Sequence, residues 1–258
     1  MIEPYYNEDG ITIYNADCRD VLPQLERVDL VLTSRQSLRE PSDSLRELPQ
    51  QPTQERVVAA SQILLLTDPP YGIRADIVQY QRGGTQRGKA IAASKQYGFS
   101  DWDSAKPDIQ LLDDFRSISK YQIIFGGNHF ALPPSTCWLV WDKLTGANKY
   151  ADCELAWTNL QGTVRKFTYL WNGMLQGNMA HKEVRQHPTQ KPLPLMKWCI
   201  GFAPDAKIIL DPFMGSGTTL RAAKDLGLKA IGIEIERKYC DIAIERLRQQ
   251  AFSFEAAS

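Results

Sequence analysis

The sequence predicts an α/β fold with a doubly wound, mostly parallel sheet, organised as a single domain over residues 1–258. Three observations predict it. Short, almost unbroken apolar runs recur along the chain, as in strands buried on both faces. The C-terminal third reads strand, glycine-containing turn, helix, strand, helix, which is a βαβα unit. A chain of 258 residues with 43% hydrophobic content has the size of one core.

Taken in order, Ile11 to Tyr14 (ITIY) is a short β-rich run, and residues 18–26 suit a short helix. Val28 to Thr33 (VDLVLT) reads as a buried strand. The composition then breaks. Residues 34–62 are rich in Ser, Gln, Arg, Glu and Pro, including Pro41, Pro49 and Pro52, and read as an inserted disordered segment. Order returns at Ile63 to Thr67 (ILLLT). LVLT at 30–33 is nearly repeated as LLLT at 64–67, and removal of residues 34–67 would run VDLVLT straight into Asp68-Pro69-Pro70-Tyr71. Covalent adjacency assigns 63–67 to the strand that feeds this tetrapeptide.

Residues 72–104 read as a long polar loop, 108–120 as a helix, and Tyr121–Phe125 and Cys137–Trp141 as strands. Residues 142–186 read as irregular. Residues 191–203 suit a helix with Leu195, Trp198, Cys199 and Phe202 on one face. Lys207 to Leu210 is a strand. Thr218 to Leu226 is a helix stopped by Gly227 at C′. Lys229 to Glu234 is the next strand, and Glu236 to Gln250 a helix with Tyr239, Ile242, Ala243 and Leu247 inward.

Composition excludes several classes. Cys18, Cys137, Cys153, Cys199 and Cys240 are scattered, odd in number and without a C-x-x-C pair, which argues against a disulfide framework and a zinc site. With only three histidines and no ligand array, no metal is expected. No run of 18 apolar residues exists and the N-terminus is acidic and polar, so the expectation is a cytoplasmic protein with no membrane partner. Net charge is zero, yet it is unevenly spread. Residues 74–100 carry five Lys/Arg against one Asp, and residues 143–191 carry seven against three acids. These stretches suit either a phosphate-facing surface or ordinary solvated faces.

Two constellations carry chemistry. Asp211-Pro212-Phe213-Met214-Gly215-Ser216-Gly217-Thr218 follows a strand and opens a helix, where glycines admit a ligand to the backbone and the helix N-terminus favours negative charge. Glu234, ending the next strand, suits the ribose hydroxyls of an adenosine cofactor. A phosphate-binding P-loop would need a Lys after Gly217, and a dinucleotide fingerprint a third Gly where Leu220 stands. In the second constellation, Pro69 and Pro70 stiffen a turn. Asp68 and the Pro69 carbonyl can accept hydrogen bonds from one amino group, and Tyr71 offers a face on which a base can stack. A rigid turn with a structural Tyr fits the same residues.

Together these motifs resemble the amino-methyltransferase family of DNA methyltransferases. The tetrapeptide precedes the cofactor glycines, as in the beta group of that family. His187-Pro188-Thr189-Gln190-Lys191-Pro192 resembles the segment that closes over the methionine end of the cofactor, and Asn15-Ala16-Asp17-Cys18 the segment at its adenine. The resemblance implies the fold of S-adenosylmethionine-dependent methyltransferases, with S-adenosyl-L-methionine as cofactor. It implies Asp68, Pro69, Pro70 and Tyr71 as the catalytic turn. It also implies a cofactor lining of Asp211, Phe213, Gly215, Ser216, Gly217 and Thr218, with Glu234 at the ribose and Asp17 at the adenine. Thr189, Gln190 and Lys191 are expected near the methionine carboxylate, and residues 142–186 in target recognition. The implied partner is double-stranded DNA; a homodimer is one assembly open to the chain, and the sequence does not fix the oligomeric state. The implied reaction is methylation of adenine N6. Cytosine N4 is the alternative, since the family associates Ser-Pro-Pro-Tyr more with cytosine. A further alternative is an inactive DNA- or cofactor-binding relative disrupted by the 34–67 insertion.

Overall fold

The computed structural model describes residues 1–25, 62–73, 86–87, 90–91, 105–145, 151–172, 175–180, 182–187 and 189–249. The expected strand at Val28–Thr33, the insertion at 34–62 and most of the 72–104 loop lie outside the described residues.

Nine strands form one sheet. They are β1 (Tyr6–Glu8), β2 (Ile11–Asn15), β3 (Ile63–Thr67), β6 (Tyr121–Phe125), β7 (Leu139–Asp142), β8 (Cys153–Thr158), β9 (Arg165–Thr168), β12 (Ile208–Asp211) and β13 (Lys229–Glu234). Two short hairpins stand apart from it: β4 (Gln86–Arg87) with β5 (Ala90–Ile91), and β10 (Trp171–Asn172) with β11 (Leu175–Gln176). The order across the large sheet is β1-β2-β13-β12-β3-β6-β8-β7-β9. The run from β2 through β13, β12 and β3 to β6 is parallel throughout, whereas β8 is antiparallel to both its neighbours.

The parallel strands look as the sequence led one to expect, because helices cover both faces. All five residues of β3 are buried. Leu64 and Leu66 join a core shared with Ile13, Ile123, Leu195, Leu220 and Ala243, whereas Ile63 and Leu65 join Val21, Leu22, Phe115 and Ile233 on the opposite face. The first face is covered by α3 (Leu193–Ile200), α4 (Thr218–Asp225) and α5 (Arg237–Arg248). The second is covered by α1 (residues 18–25) and α2 (Ile109–Ser117). Each fully buried aliphatic side chain contributes about 1.5–3 kcal/mol, so β3 is a principal source of core stability. Ile63–Thr67 thus occupies the central strand that leads into Asp68.

One expectation is corrected. Residues 142–186 do not form an irregular lobe: β8 and β9 run within the main sheet and β10–β11 is a hairpin. Glu154 interrupts the apolar pattern of β8, and the strand signal is weak there for that reason. In α5 the inward residues are Tyr239, Cys240, Ala243 and Leu247, with Cys240 in place of the expected Ile242.

The unit β12–α4–β13 depends on a close approach. Gly217 caps α4 with φ of +74°, and a Cβ there would lie 2.6 Å from Ala243 Cβ on α5. Both the left-handed backbone and the helix–helix distance exclude a side chain. Gly217→Ala should therefore lower the unfolding free energy by about 1–3 kcal/mol. Urea denaturation followed by circular dichroism measures this, and an unchanged midpoint would mean that α4 and α5 separate without cost.

Candidate active site

β3 and β12 lie side by side and parallel, and the chain leaves them in opposite lateral directions, β3 toward β6 and β12 toward β13. A crevice at the carboxyl ends of such strands is the usual ligand position in open α/β sheets. Here the Asp68 turn and the Asp211 loop emerge together. Thr67 Oγ1 donates to Asp211 Oδ1 at 2.8 Å and joins the two strand ends. Asp211 Oδ1 also accepts from Phe213 N at 3.2 Å, which folds the loop back over its own strand.

The loop runs on through Gly215 and Gly217, with φ of +50° and +74°. Glu234 closes it from the neighbouring strand: Oε2 accepts from Gly215 N at 3.0 Å and Oε1 from Glu236 N at 2.8 Å. Ser216 and Thr218 are held from α5, where Arg246 Nη1 donates to Ser216 O at 2.7 Å and to Ser216 Oγ and Thr218 Oγ1 at 3.1 Å each. Burial pushes the Asp211 carboxyl up to about 6 and the Glu234 carboxyl up to about 7, in each case outweighing the hydrogen bonds that favour the ionised form.

The segment before α3 meets this loop. Gln190 Oε1 accepts from Gln186 N at 2.7 Å and from Ser216 Oγ at 3.4 Å. Its Nε2 is buried and has no hydrogen-bond partner among the described residues. Thr189 folds back on His187, whose Nδ1 lies 3.3 Å from Thr189 N and 3.1 Å from Thr189 Oγ1. The His187 ring packs edge-on against Tyr239 at 4.4 Å, and burial pushes its pKa down to about 3. Asp17 stands two residues beyond the register pair Asn15↔Glu234, and its carboxylate is bound by Arg19, which holds it below the usual carboxylate range. The structure thus brings Asp211, Phe213, Gly215, Ser216, Gly217, Thr218, Glu234 and Gln190 into one cradle, with Asp17 at its edge.

At the other constellation, Pro69 is buried, and Pro70 and Tyr71 are half-buried. The Tyr71 ring stacks on His129, with centroids 4.8 Å apart and planes at 15°, and its hydroxyl donates to Asp68 Oδ1. The ring face expected to receive a base therefore already has an aromatic neighbour. Lys191 is placed differently from expectation as well. Its ammonium pairs with Asp68 Oδ2 and, at 3.1 Å, with Glu154 Oε2, rather than standing free beside the Gln190 cradle. The cause is electrostatic: an almost fully buried ammonium requires a counter-ion, and two carboxylates lie within reach.

His129, Lys143, Glu154 and Arg246 are not singled out by the sequence, and Thr67 is marked there only as the residue that opens the Asp68 constellation, with no role of its own. Glu154 was detectable as a lone acid in an apolar run, since charged residues are rarely buried unless paired. Arg246 looks like an ordinary solvent-facing helix residue and gave no signal.

Residues 138–245 match the N6/N4 family model described as DNA methylase. The chain is 43% identical over 83 residues to Type II methyltransferase M2.LlaDCHI of Lactococcus lactis subsp. cremoris, covering 32% of this chain and 30% of that protein. It is 47% identical over 66 residues to Type II methyltransferase M.HinfI of Haemophilus influenzae, covering 25% and 18%. The matched stretches therefore span less than a third of these relatives. Among solved structures, the M1.HpyAVI–SAM complex aligns with a TM-score of 0.47 and 19% identity, covering 92% of this chain and 100% of that one. Among the described residues no helix is long and apolar enough to cross a membrane.

The raised carboxyls give the ligand-free protein a pH signature. A neutral, buried carboxyl stabilises the fold fully below its unfolded value, near 4.5 for Glu234 and 3.8 for Asp211, and that contribution is lost as pH rises through the folded values of about 7 and about 6. Glu154, brought down to about 2 in the fold, acts in the opposite sense at much lower pH. The stability advantage of wild type over Glu234→Gln should thus shrink by a few kcal/mol at most between about pH 4.5 and pH 7. Thermal melts of both proteins across this range test it, and parallel curves would reject the shift at Glu234. Over residues 138–245 the chain is similar to the DNA amino-methyltransferase family.

Proposed function

We propose that the chain transfers a methyl group from S-adenosyl-L-methionine to the exocyclic N6 amino group of adenine in double-stranded DNA. The observation that carries this reading is the junction of the Asp68 turn with the glycine loop at adjacent strand ends, tied by the Thr67–Asp211 bond. It puts a hydrogen-bond acceptor for an amine directly beside a nucleoside-type cradle. Asp68 at the head of the tetrapeptide favours adenine over cytosine N4.

The cradle fits the cofactor on three counts. The glycine loop leaves backbone open to a ligand, Glu234 offers a carboxylate at the ribose position, and Gln190 Nε2 is a buried donor in need of an acceptor such as a carboxylate. S-adenosylmethionine, when bound, supplies an electrophilic methyl group. The protein's task is to position and polarise the acceptor. A base amine is unreachable in a stacked duplex, so the base must be turned out toward Tyr71. Its lone pair is delocalised into the ring. Hydrogen bonds from its two hydrogens to Asp68 and to the Pro69 carbonyl favour a more tetrahedral, more nucleophilic nitrogen. Fixing that nitrogen in line supplies much of the acceleration. The proton released after transfer is within reach of Asp68, whose carboxyl is raised by burial and only partly restored by Lys191.

Residues 142–186 are proposed to contact the target. Trp157 and Trp171 are buried and serve the core, so the contacts fall to exposed groups such as Arg165, Lys166 and Lys182. Lys and Arg at such positions bind phosphates and set register.

Incubation of unmethylated genomic DNA with labelled S-adenosylmethionine, followed by nucleoside analysis, tests the proposal. N6-methyladenine is the expected product. N4-methylcytosine would retain the class and change the base, and absence of any labelled nucleoside would refute the activity. Asp68→Ala should lower kcat at least about 100-fold with cofactor affinity within about twofold. Undiminished turnover would remove Asp68 from the mechanism.

A further inference from the structure

Lys143, Glu154, Lys191 and Asp68 form a line of alternating charge that runs from the end of β7 into the catalytic turn. Lys143 Nζ lies 2.6 Å from Glu154 Oε1, and Lys191 Nζ lies 3.1 Å from Glu154 Oε2 while also pairing with Asp68 Oδ2. Their side chains are only 18%, 25%, 6% and 19% exposed, in that order along the line. Each element has a place in this arrangement. Glu154 lies on β8 opposite Trp141 of β7, and Lys143 follows β7 directly, with its ammonium 5.3 Å from the Trp141 ring centroid. Phe125, at the end of β6, puts its ring 5.2 Å from the Lys191 ammonium. His187 adjoins Lys191 along the chain and is held neutral by burial, so it does not compete for the carboxylates.

Both oxygens of Asp68 are engaged in this state, Oδ1 by the Tyr71 hydroxyl and Oδ2 by Lys191. An incoming amine must therefore take one of these places. Release of Lys191 from its only counter-ion would strand an ammonium in a nearly dry site, at a cost of several kcal/mol. Glu154 removes that obstacle because it already shares the ammonium. Lys143 in turn keeps Glu154 ionised: burial pushes that carboxyl up, and Lys191 and Lys143 together outweigh it and bring it down to about 2.

We propose that Glu154 is a positioning residue for Asp68: it is the second seat of a shared lysine, so that Lys191 can yield Asp68 to the target amine without becoming an unpaired buried charge. This rests on the catalytic role proposed for Asp68. It also explains a half-buried acid near the start of β8, where an apolar residue would pack at least as well.

The test has a kinetic arm and an arm independent of turnover. In the kinetic arm, Glu154→Gln should lower kcat about tenfold or more, leave the cofactor Kd within about twofold, and be partly rescued by Glu154→Asp. A structural ion pair alone would change stability without this separation of kcat from cofactor binding, and an unchanged kcat would overturn the proposal. In the second arm, the Cε–Hε signal of Lys191 is followed against pH in lysine-labelled protein, assigned by its loss in Lys191→Met. Asp68→Asn imitates an Asp68 whose charge is no longer available. Lys191 should then stay protonated as in wild type, because Glu154 keeps it. In Asp68→Asn/Glu154→Gln its titration should move to lower pH by at least about one unit. If Asp68→Asn alone already moves it that far, Glu154 is not a seat and the proposal falls. The Asp68→Asn protein alone suffices to overturn the proposal in this arm, even if Glu154→Gln does not fold. The same arm decides the matter if the wild-type protein methylates no DNA, an outcome that counts against the proposed function and not against the seat.

Discussion

The hydrogen bond from Thr67 Oγ1 to Asp211 Oδ1 is the contact on which the site depends. It joins the ends of β3 and β12, two buried parallel strands in fixed register, at the place where their loops diverge. Both groups are almost fully buried, so the pair is electrostatically stronger than the same bond in water, and either partner left alone would be costly. The consequence is geometric. The tetrapeptide begins one residue after Thr67 and the glycine loop begins at Asp211 itself, so neither can shift along its strand without breaking this bond or the register beneath it.

A second consequence concerns charge. The Asp68 charge disfavours ionisation of Asp211, and Asp211 has the same effect on Glu234, which ends the next strand. Three carboxyls thus converge on one crevice. The fold accommodates them in two different ways. On the glycine-loop side, Asp211 and Glu234 are surrounded by backbone amides and hydroxyls, and burial holds them partly neutral. On the tetrapeptide side, Asp68 is compensated by the Lys191 ammonium, which is compensated in turn by Glu154 and Lys143. Under the proposed function, the first arrangement would respond to a ligand by releasing protons and the second by redistributing an existing charge.

Much of this was legible in the sequence, and what was not has a physical reason. The parallel core could be read because its strands are buried on both faces and its helices carry a 3.6-residue apolar period. Thus Ile63–Thr67, Ile208–Asp211, Lys229–Glu234 and α4 with Gly227 behind it fall where the pattern puts them. The cradle residues were legible because close backbone approach leaves glycines and a terminal acid as a local signature. The antiparallel part was not, since β8 mixes Cys153, Glu154 and Trp157 and β9 is largely exposed, which blurs both strand periods. The partner of Lys191 was not legible either. A lysine next to a cofactor-type motif suggests an anion from the ligand, whereas its actual counter-ions come from positions 68 and 154, and no local pattern encodes contacts of that separation.

The two electrostatic arrangements also explain why this site can be built largely from buried charge without being an unstable one. Isolated, any of Asp68, Glu154 or Lys191 would cost several kcal/mol at its degree of burial. As an alternating series that ends on Lys143, the line carries no net charge, and each interior member has a partner on both sides. Replacement of the whole series by apolar residues would be expected to stabilise the fold rather than weaken it. Its retention in a core strand and a catalytic turn therefore points to a task other than stability. Under the proposed function that task is to let one carboxylate change partners inside a site from which water is largely excluded. A charge that must move in such a site needs its destination built in beforehand, and Glu154 on β8 supplies it.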